Sequence, residues 1–463
     1  MNSMGTLLIK NADILVTMDS HRREIKGGGI FIKDGFIEAV GPTDSLPGQA
    51  EEILDLSGHI VLPGLVNTHH HFYQTLTRVI PDAQDVNLFH WLKTLYPIWA
   101  RMGPEHIRVS TKTALAELAL SGCTTASDHL YLFPNGSRLD DEIQAAQEIG
   151  LRLHASRGSM SLGESKGGLP PDSVVEGEDE ILRDSQRVIE AYHDPEPGSF
   201  VQIVLAPCSP FSVTGDLMRE SAALARDYGV RLHTHLSETE DEIDFCREQF
   251  GHRPVAYMEE VDWIGPDVWF AHSVHVNEQE LDVYAENHCG VAHCPSSNMR
   301  LASGAAPILD MLQAGIDVGV GVDGSASNDS SHMLEEVRQA MLLARLRAGM
   351  LGASRSNEEH LPIMSARQAL EMGTRGGAAV LGRSDIGSLE EGKAGDFIAL
   401  DLSQVSYAGA LHDPVAALPF CAPRGVAYNV VGGKFVVKEG ALVTADVDQL
   451  IETHNQLAQQ LVQ

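Results

Sequence analysis

The sequence predicts an α/β protein in which a TIM-type (β/α)8 barrel carries a small β-sandwich domain built from both chain termini. Two observations predict this fold. Residues 63–384 alternate short β-branched runs with longer amphipathic stretches, the pattern of parallel β/α units. Residues 1–62 and 385–445 alternate apolar and polar positions between glycine and aspartate turns, which is typical of antiparallel strands. Residues 446–463 are expected to form a C-terminal helix.

The central region contains eight strand candidates, the number that closes a TIM barrel. They are LVNTHH (65–70), TTASDH (124–129), LRLHAS (151–156), VQIVLAP (201–207), VRLHTHL (230–236), VWFAHS (268–273), GVAHCP (290–295) and DVGVGVDG (317–324). Active sites of such barrels lie at the carboxyl ends of the strands. Side chains at those ends are therefore the first candidates for function.

Composition excludes several classes of function. The chain has 33 basic and 64 acidic residues, and a net charge of −31 repels nucleic-acid polymers. Lys10, Asp13 and Asp19 interrupt or flank the first apolar run, unlike a signal peptide, and no apolar run approaches the length of a membrane span. The six cysteines form no C-x-x-C pair and are expected to be reduced thiols. We therefore expect a cytoplasmic protein without nucleic-acid or membrane partners.

Three consecutive histidines end the first candidate strand. In an extended chain alternate side chains share a face, so His69 and His71 point together and His70 points away. Such a pair can hold one metal ion through two imidazoles. An isolated H-x-H pair, however, is more often structural than metal-binding.

Further metal-type ligands end three other candidate strands. His235 shares a face with His233 on the fifth strand and lies nearer its carboxyl end, so we take His235 as the third ligand. His272 ends the sixth strand, and Asp323 ends the eighth and supplies a carboxylate. This coincidence at four strand ends favours a metal site over scattered structural histidines. The remaining histidines are expected to be bystanders, among them His90, His129, His154, His252 and His332.

Glu238 follows His235 by three residues in the segment HTHLSE. A carboxylic acid beside the substrate can shuttle a proton. Taken alone, Glu238 would be an exposed acid at the start of a helix, where acidic residues are favoured. Its place beside the metal cluster favours a catalytic role.

These motifs closely resemble the amidohydrolase superfamily, in its cytosine, guanine and S-adenosylhomocysteine deaminase-like branch. The resemblance covers nearly the whole chain. It rests on PGLVNTHHH (63–71), HTHLSE (233–238), FAHSVH (270–275), HCPSSNMRLASGAAPI (293–308), GVDGSASND (321–329) and GSLEEGKAGDFIALD (387–401).

The resemblance implies a role for each residue. The metal ligands would be His69, His71, His235 and Asp323. His272 and Asp323 would orient the attacking water and accept its proton, and Glu238 would be the proton shuttle. Relatives with two metals carry a carboxylated lysine at the end of barrel strand four, where this chain reads VLAPCSP. A single divalent ion is therefore expected, zinc or alternatively iron.

Five residues are expected to contact the substrate. Gln74 offers a bidentate amide, and Trp91 offers a flat wall or else packs in an amphipathic helix. Arg157, beside a Gly-, Ser- and Pro-rich loop, could reach a ring carbonyl or pair with surface acids. Cys208 stands where nucleoside-type relatives tend to carry an imidazole, which favours a compact base. His275 belongs to the same motif as His272.

The implied reaction is hydrolytic deamination of a small heterocycle, a free purine base, with 8-oxoguanine before guanine. Alternatives on the same scaffold are deamination of S-adenosylhomocysteine or 5′-methylthioadenosine, and triazine aminohydrolysis or chlorohydrolysis. Cyclic-amide hydrolysis would need the missing lysine, and a non-catalytic scaffold would be expected to have lost the ligands. Relatives commonly self-associate, so a homo-oligomer is expected.

Overall fold

The chain folds into one closed barrel and one separate sheet, as the strand pattern predicted. The structure, a computed structural model, describes residues 5–353, 362–421 and 425–463. The N-terminal strands are β1 (Thr6–Val16), β2 (Glu24–Lys33), β3 (Phe36–Pro42), β4 (Glu52–Asp55) and β5 (His59–Pro63). The barrel strands are β6 (Leu65–Asn67), β7 (Cys123–Leu130), β8 (Arg152–Ser159), β9 (Val201–Pro207), β10 (Arg231–Leu236), β11 (Val268–His272), β12 (Gly290–His293) and β13 (Val318–Val320). The C-terminal strands are β14 (Phe397–Asp401), β15 (Tyr428–Val431), β16 (Lys434–Lys438) and β17 (Ala441–Leu442).

The barrel strands pair in parallel and in chain order, and β13 closes the ring on β6 through Val320 and Asn67. Each of the eight candidate segments supplies one strand, so the predicted TIM barrel is confirmed. β7 and β8 are buried along their whole length. Parallel strands of a barrel are covered on both faces, which explains this burial even though β7 and β8 include charged and titratable side chains.

Both termini contribute to the separate sheet, which confirms the predicted origin of the β region. In the described residues it has nine strands in the order β17-β16-β15-β14-β5-β1-β2-β3, with β4 paired to β1. Hydrogen bonds join these strands into one continuous sheet. Ile9, Ile30, Val61, Phe397 and Val430 pack together in its own apolar core. The β region thus has a core separate from the main core of the barrel.

Helices cover the barrel and follow most of its strands. In the described part of the chain they are α1 (Leu88–Trp99), α2 (Pro104–Leu120), α3 (Leu139–Ile149), α4 (Glu178–Tyr192), α5 (Gly215–Tyr228), α6 (Glu240–Phe250), α7 (Pro254–Glu260), α8 (Glu278–Asn287), α9 (Pro295–Arg300), α10 (Ile308–Gln313), α11 (Met333–Met350), α12 (Ala366–Glu371), α13 (Gly377–Val380), α14 (Pro414–Phe420) and α15 (Val447–Val462). α15 lies within the segment predicted to form a C-terminal helix. None of these helices has the length and apolar content that crossing a membrane requires.

A buried ion pair joins the barrel to the sheet. Arg152 of β8 donates from Nε and Nη2 to the two carboxylate oxygens of Asp396, at 2.7 and 2.9 Å. Arg152 is 1% exposed, and Asp396 is also buried. Asp396 accepts a further hydrogen bond from the backbone N–H of Gly432 at 2.7 Å. The pair therefore fixes β14 and the turn after β15 against the barrel wall.

We predict that Asp396→Ala lowers the free energy of unfolding by about 3–5 kcal/mol, because it leaves the Arg152 guanidinium buried without its counter-charge. Chemical denaturation of both proteins measures the difference. Glu52→Ala is the control, since Glu52 pairs with Lys438 at an exposed site and its loss should cost under about 1 kcal/mol. Equal effects of the two substitutions would contradict the prediction.

Candidate active site

The carboxyl ends of the barrel strands bring the predicted metal ligands together. His71 Nε2 lies 3.1 Å from His235 Nε2 and 3.4 Å from Asp323 Oδ1. His69 Nε2 lies 3.3 Å from the same carboxylate oxygen. His70 lies outside the cluster, where its Nε2 is 2.9 Å from the Ser331 hydroxyl. The separation of His70 from its neighbours agrees with the alternation read from the sequence.

Backbone carbonyls fix the rings of His71 and His235. Nδ1 of His71 donates to the carbonyl oxygen of His129 at 2.7 Å, and Nδ1 of His235 donates to that of Cys208 at 2.6 Å. A carbonyl can only accept, so each Nδ1 carries the proton and each Nε2 presents a lone pair. Two lone pairs 3.1 Å apart repel each other. A cation between them removes that conflict.

The ring of His69 is fixed by a second histidine. Its Nδ1 lies 2.8 Å from Nε2 of His233, whose own Nδ1 lies 3.0 Å from the carbonyl oxygen of Trp269. The chain of donors thus runs from His69 to His233 to Trp269, which leaves Nε2 of His69 unprotonated. That buried Nε2 has no hydrogen-bond partner among the described residues. Outer-layer contacts of this kind orient metal-binding imidazoles in proteins.

The charge state of the cluster suits a divalent metal ion. Burial holds the pKa of His69 and His71 below the ordinary value and that of His235 at about 3, so the three rings are neutral. Burial would raise the pKa of Asp323, but the adjacent imidazole of His69 outweighs that effect and lowers it. Neutral imidazoles and an ionised carboxylate are the forms that bind metals. The donor set therefore fits a divalent metal.

Glu238 and His272 face the cluster from the neighbouring strand ends. Oε2 of Glu238 lies 3.5 Å from Nε2 of His272, and Oε1 accepts from the Ser303 hydroxyl at 3.3 Å. Burial raises the pKa of Glu238. Burial lowers that of His272, but the carboxylates of Glu238 and Asp323 outweigh it and raise the pKa overall. Nδ1 of His272 is fixed at 2.9 Å from Oδ1 of Asn298.

The backbone at these strand ends adopts left-handed conformations. The φ angles are +54° at Ser237, +73° at His272, +48° at Ser273 and +62° at Asp323. Such angles cost a non-glycine residue about 1–3 kcal/mol and persist where the surroundings impose them. Their concentration beside the metal cluster indicates a site shaped for function.

A cavity opens onto the cluster. α1 covers it, and the loops after β7, β9, β12 and β13 supply its sides. Besides the residues described above, its wall contains Gln74, Leu88, Trp91, Leu92, Tyr96, Tyr131, Cys208, Ser209, Phe211, Glu242, Leu301 and Ser327. Of the described residues that line it, none is a lysine or an arginine. The cavity thus offers aromatic faces and neutral polar groups to a ligand.

Three of the five expected substrate contacts lie in the cavity wall. Gln74 is buried, and its Oε1 lies 3.4 Å from the backbone N–H of Ala326. Trp91 lines the cavity and packs in α1, and its indole N–H donates to the carbonyl of Ala326 at 3.0 Å. Both interpretations of Trp91 from the sequence therefore apply. Cys208 follows β9, and burial raises its pKa to about 12, so it is a neutral thiol.

Arg157 and His275, the other two expected substrate contacts, do not line this cavity, and Arg157 takes the alternative left open by the sequence, pairing with acids. Arg157 is 2% exposed and pairs at 2.7 Å with Glu176 and with Asp184, while its guanidinium lies 4.0 Å over the ring of Phe133. These acids from the loop before α4 and from α4 occupy its donors. Nε2 of His275 lies 2.7 Å from the carbonyl oxygen of Ser303 and supports the loop that contacts Glu238.

The sequence analysis did not identify two histidines that contact the candidate metal ligands, His129 and His233. His129 was expected to be a bystander, but its carbonyl holds His71 and its ring stacks on His235 with centroids 4.8 Å apart. His129 ends the candidate strand TTASDH (124–129), so the strand-end rule that selected His272 applied to it equally. His233 was passed over for His235. Alternation along the strand places His233 and His235 on the same face. This pattern could have indicated that His233 contacts the cluster from within the barrel.

Comparisons with known proteins agree with this geometry. The model of the amidohydrolase family matches residues 60–436. The chain is 49% identical to an 8-oxoguanine deaminase of Pseudomonas aeruginosa, over 94% of this chain and 95% of that one. It is 37% identical to a hydroxydechloroatrazine ethylaminohydrolase of a Pseudomonas species, over 96% and 94%. The crystal structure of an atrazine chlorohydrolase from Arthrobacter aurescens complexed with zinc superposes with a TM-score of 0.91 at 34% identity, covering 98% of this chain and 100% of that one.

The family match spans most of the chain, and the relatives are aligned over nearly their full length. The chain also has the closed barrel, the sheet from both termini and the histidine–aspartate cluster that the resemblance implied. The chain therefore belongs to the amidohydrolase family, as a hydrolase that acts on carbon–nitrogen bonds.

Proposed function

We propose that the protein deaminates a free purine base, 8-oxoguanine, with water to give urate and ammonia. The observation that carries this proposal is the 49% identity to an 8-oxoguanine deaminase over almost the entire chain. His69, His71, His235 and Asp323 would hold one divalent ion, zinc. A zinc-containing relative of 34% identity and the all-nitrogen-and-oxygen donor set support that choice.

The residues around the cluster divide the reaction between them. When bound, a divalent metal lowers the pKa of a coordinated water from 15.7 to about 7. His272 and Asp323 orient the attacking water and together accept its proton, since Nε2 of His272 lies 3.9 Å from Oδ2 of Asp323. The water oxygen attacks the ring carbon that bears the amino group and lies between two ring nitrogens.

Glu238 carries the second proton transfer. As the ring loses aromaticity, its carboxylic acid donates to the adjacent ring nitrogen and prevents charge from building up there. The proton taken from the attacking water then passes to the amino group, which leaves as ammonia. As the new carbonyl group forms, the remaining hydroxyl proton returns to Glu238. Burial raises the pKa of Glu238 towards the range in which a carboxyl group can both give and take a proton.

The cavity wall suits a flat, uncharged base. Trp91 and Tyr131 offer aromatic faces, and Gln74 offers both a donor and an acceptor for ring carbonyl and N–H groups. Cys208 offers no strong partner to a ribose hydroxyl. The absence of lysine and arginine from the described cavity wall disfavours phosphorylated or carboxylated substrates.

A second candidate function is hydrolysis of an amino- or chloro-substituted triazine. Two observations favour it: the 37% identity to the ethylaminohydrolase and the superposition on the atrazine chlorohydrolase. A triazine is also a flat, neutral ring whose substituted carbons lie between two ring nitrogens. The substrate comparison below includes it.

Replacing a metal ligand should remove metal and activity together. We expect His71→Ala to lose the ion, because Nε2 of His71 faces the cluster, and His70→Ala to keep it, because His70 contacts Ser331 instead. Metal content per chain is measured by mass spectrometry after gel filtration. Retention of metal by His71→Ala, or its loss from His70→Ala, would reverse the orientation assigned to this segment.

Glu238→Gln should keep its metal and lose about 10²–10⁴ in kcat, because an amide cannot relay a proton. The metal should stay bound because Glu238 is not one of the four candidate ligands. Its carboxylate lies 3.5 Å from His272, which is not a ligand either. Steady-state ammonia release, normalised to bound metal, measures the loss. Full activity in the metal-loaded variant would remove Glu238 from the mechanism.

The substrate proposal is tested by comparing kcat/KM for 8-oxoguanine, guanine, isocytosine, S-adenosylhomocysteine and an aminotriazine. We expect 8-oxoguanine to be best. An unmade buried hydrogen bond costs about 1–3 kcal/mol, so guanine should be slower by roughly 5- to 150-fold. A higher value for S-adenosylhomocysteine would refute the free-base proposal, and a higher value for the triazine would establish the second candidate.

A further inference from the structure

Glu242 is a buried carboxylate that no step above uses. It lies in the first turn of α6 and is 1% exposed, and it borders the cavity. Its Oε1 accepts from the backbone N–H of Ser237 at 2.7 Å, and its Oε2 accepts from that of Glu238 at 2.9 Å. The carboxylate thus bridges two successive peptide groups that lead into the Glu238 side chain.

This arrangement differs from ordinary helix capping. Thr239 caps α6, and its side chain accepts from the N–H of Glu242. In a capping box the acid three residues after the cap returns a bond to the N–H of the cap residue itself. Glu242 reaches past Thr239 to the two residues before it. The hydrogen bonds to Glu242 therefore fix the segment that precedes α6, and they do not cap the end of the helix.

The held segment has a conformation that needs support. Ser237 has φ +54°, and the chain turns there from β10 towards α6. The turn sets the direction of the Glu238 side chain, which ends 3.5 Å from Nε2 of His272. Glu242 is the described group that accepts from both N–H donors of this turn.

We infer that Glu242 is a positioning residue for the proposed deamination: its carboxylate fixes the Ser237–Glu238 backbone and thereby places the Glu238 carboxyl group beside His272. The inference rests on the proposed function of Glu238. Because both oxygens of Glu242 accept backbone hydrogen bonds, Glu242 holds Glu238 in place and does not itself transfer the proton.

The test is Glu242→Gln, alone and combined with Glu238→Gln, in the metal-loaded protein. A glutamine accepts through one oxygen, and its NH₂ group would face a backbone N–H, so one of the two bonds is lost. We expect kcat to fall by roughly 10²-fold, the effect of a small misplacement of a catalytic group, with metal content unchanged. In the Glu238→Gln background the second substitution should change kcat by less than about twofold, since no acid remains to be positioned.

Glu240→Gln is the matched control. Glu240 lies in the same first turn of α6 but is exposed, so it loses the same charge near the helix terminus without touching the turn at Ser237. Its kcat should equal that of the unchanged protein. If Glu242→Gln also keeps full kcat, or if its effect multiplies with that of Glu238→Gln, Glu242 has only a structural role and the inference is wrong.

Two further measurements keep the inference testable. Glu242→Asp retains the charge but shortens the reach by one methylene. Should Glu242→Gln fail to fold, Glu242→Asp is expected to lose about tenfold in kcat, and an unchanged kcat would overturn the inference.

Crystal structures of metal-loaded variants should show Glu238 displaced from its 3.5 Å contact with His272. If the protein without substitutions deaminates none of the tested substrates while Glu238 is displaced in the variants, the proposed function fails and the positioning role stands. An undisplaced Glu238 overturns the positioning role itself.

Discussion

The site depends on one unfavourable contact: two imidazole lone pairs, on Nε2 of His71 and Nε2 of His235, lie 3.1 Å apart in a buried space. Neither ring can turn away, because each Nδ1–H is bound to a carbonyl oxygen of a neighbouring strand end. Protonating one ring would relieve the repulsion, but burial holds both pKa values low. The barrel therefore holds a geometry that a cation stabilises, and the surrounding contacts maintain it.

Those surrounding contacts include three buried carboxyl groups that hold backbone N–H groups near the cluster. Asp128 accepts from Phe72 at 2.6 Å, next to His71 in the chain. Glu242 accepts from Ser237 and Glu238, and Glu336 of α11 accepts from Ser296 at 2.8 Å. Burial raises the pKa of all three carboxyl groups. Each group lies one layer outside the candidate ligands and fixes the course of a loop at a barrel strand end.

Much of this could be predicted from the sequence, because the governing patterns are local. Alternation in an extended chain separated His70 from His69 and His71, and strand ends located Asp323. Contacts between distant segments were beyond that reasoning. From the sequence, Arg157 could form an ion pair with any of many acidic residues. The path of α4 determines that Asp184 is one of its partners. The supporting role of His129 depends on its carbonyl group, and a side-chain pattern carries no information about where a carbonyl points.

The sheet built from both termini has a consequence for the nascent chain. In the finished sheet β5 lies between β1 and β14, but more than 300 residues separate Pro63 from Phe397. At about 5–20 residues per second, the ribosome takes roughly 15–70 s to supply the missing neighbour. Throughout that interval β5 presents an open edge of apolar residues, the kind of surface that pairs with other chains. The last seventh of the chain thus ends a period of vulnerability to aggregation that begins with the first 63 residues, and truncation before β14 makes that exposure permanent.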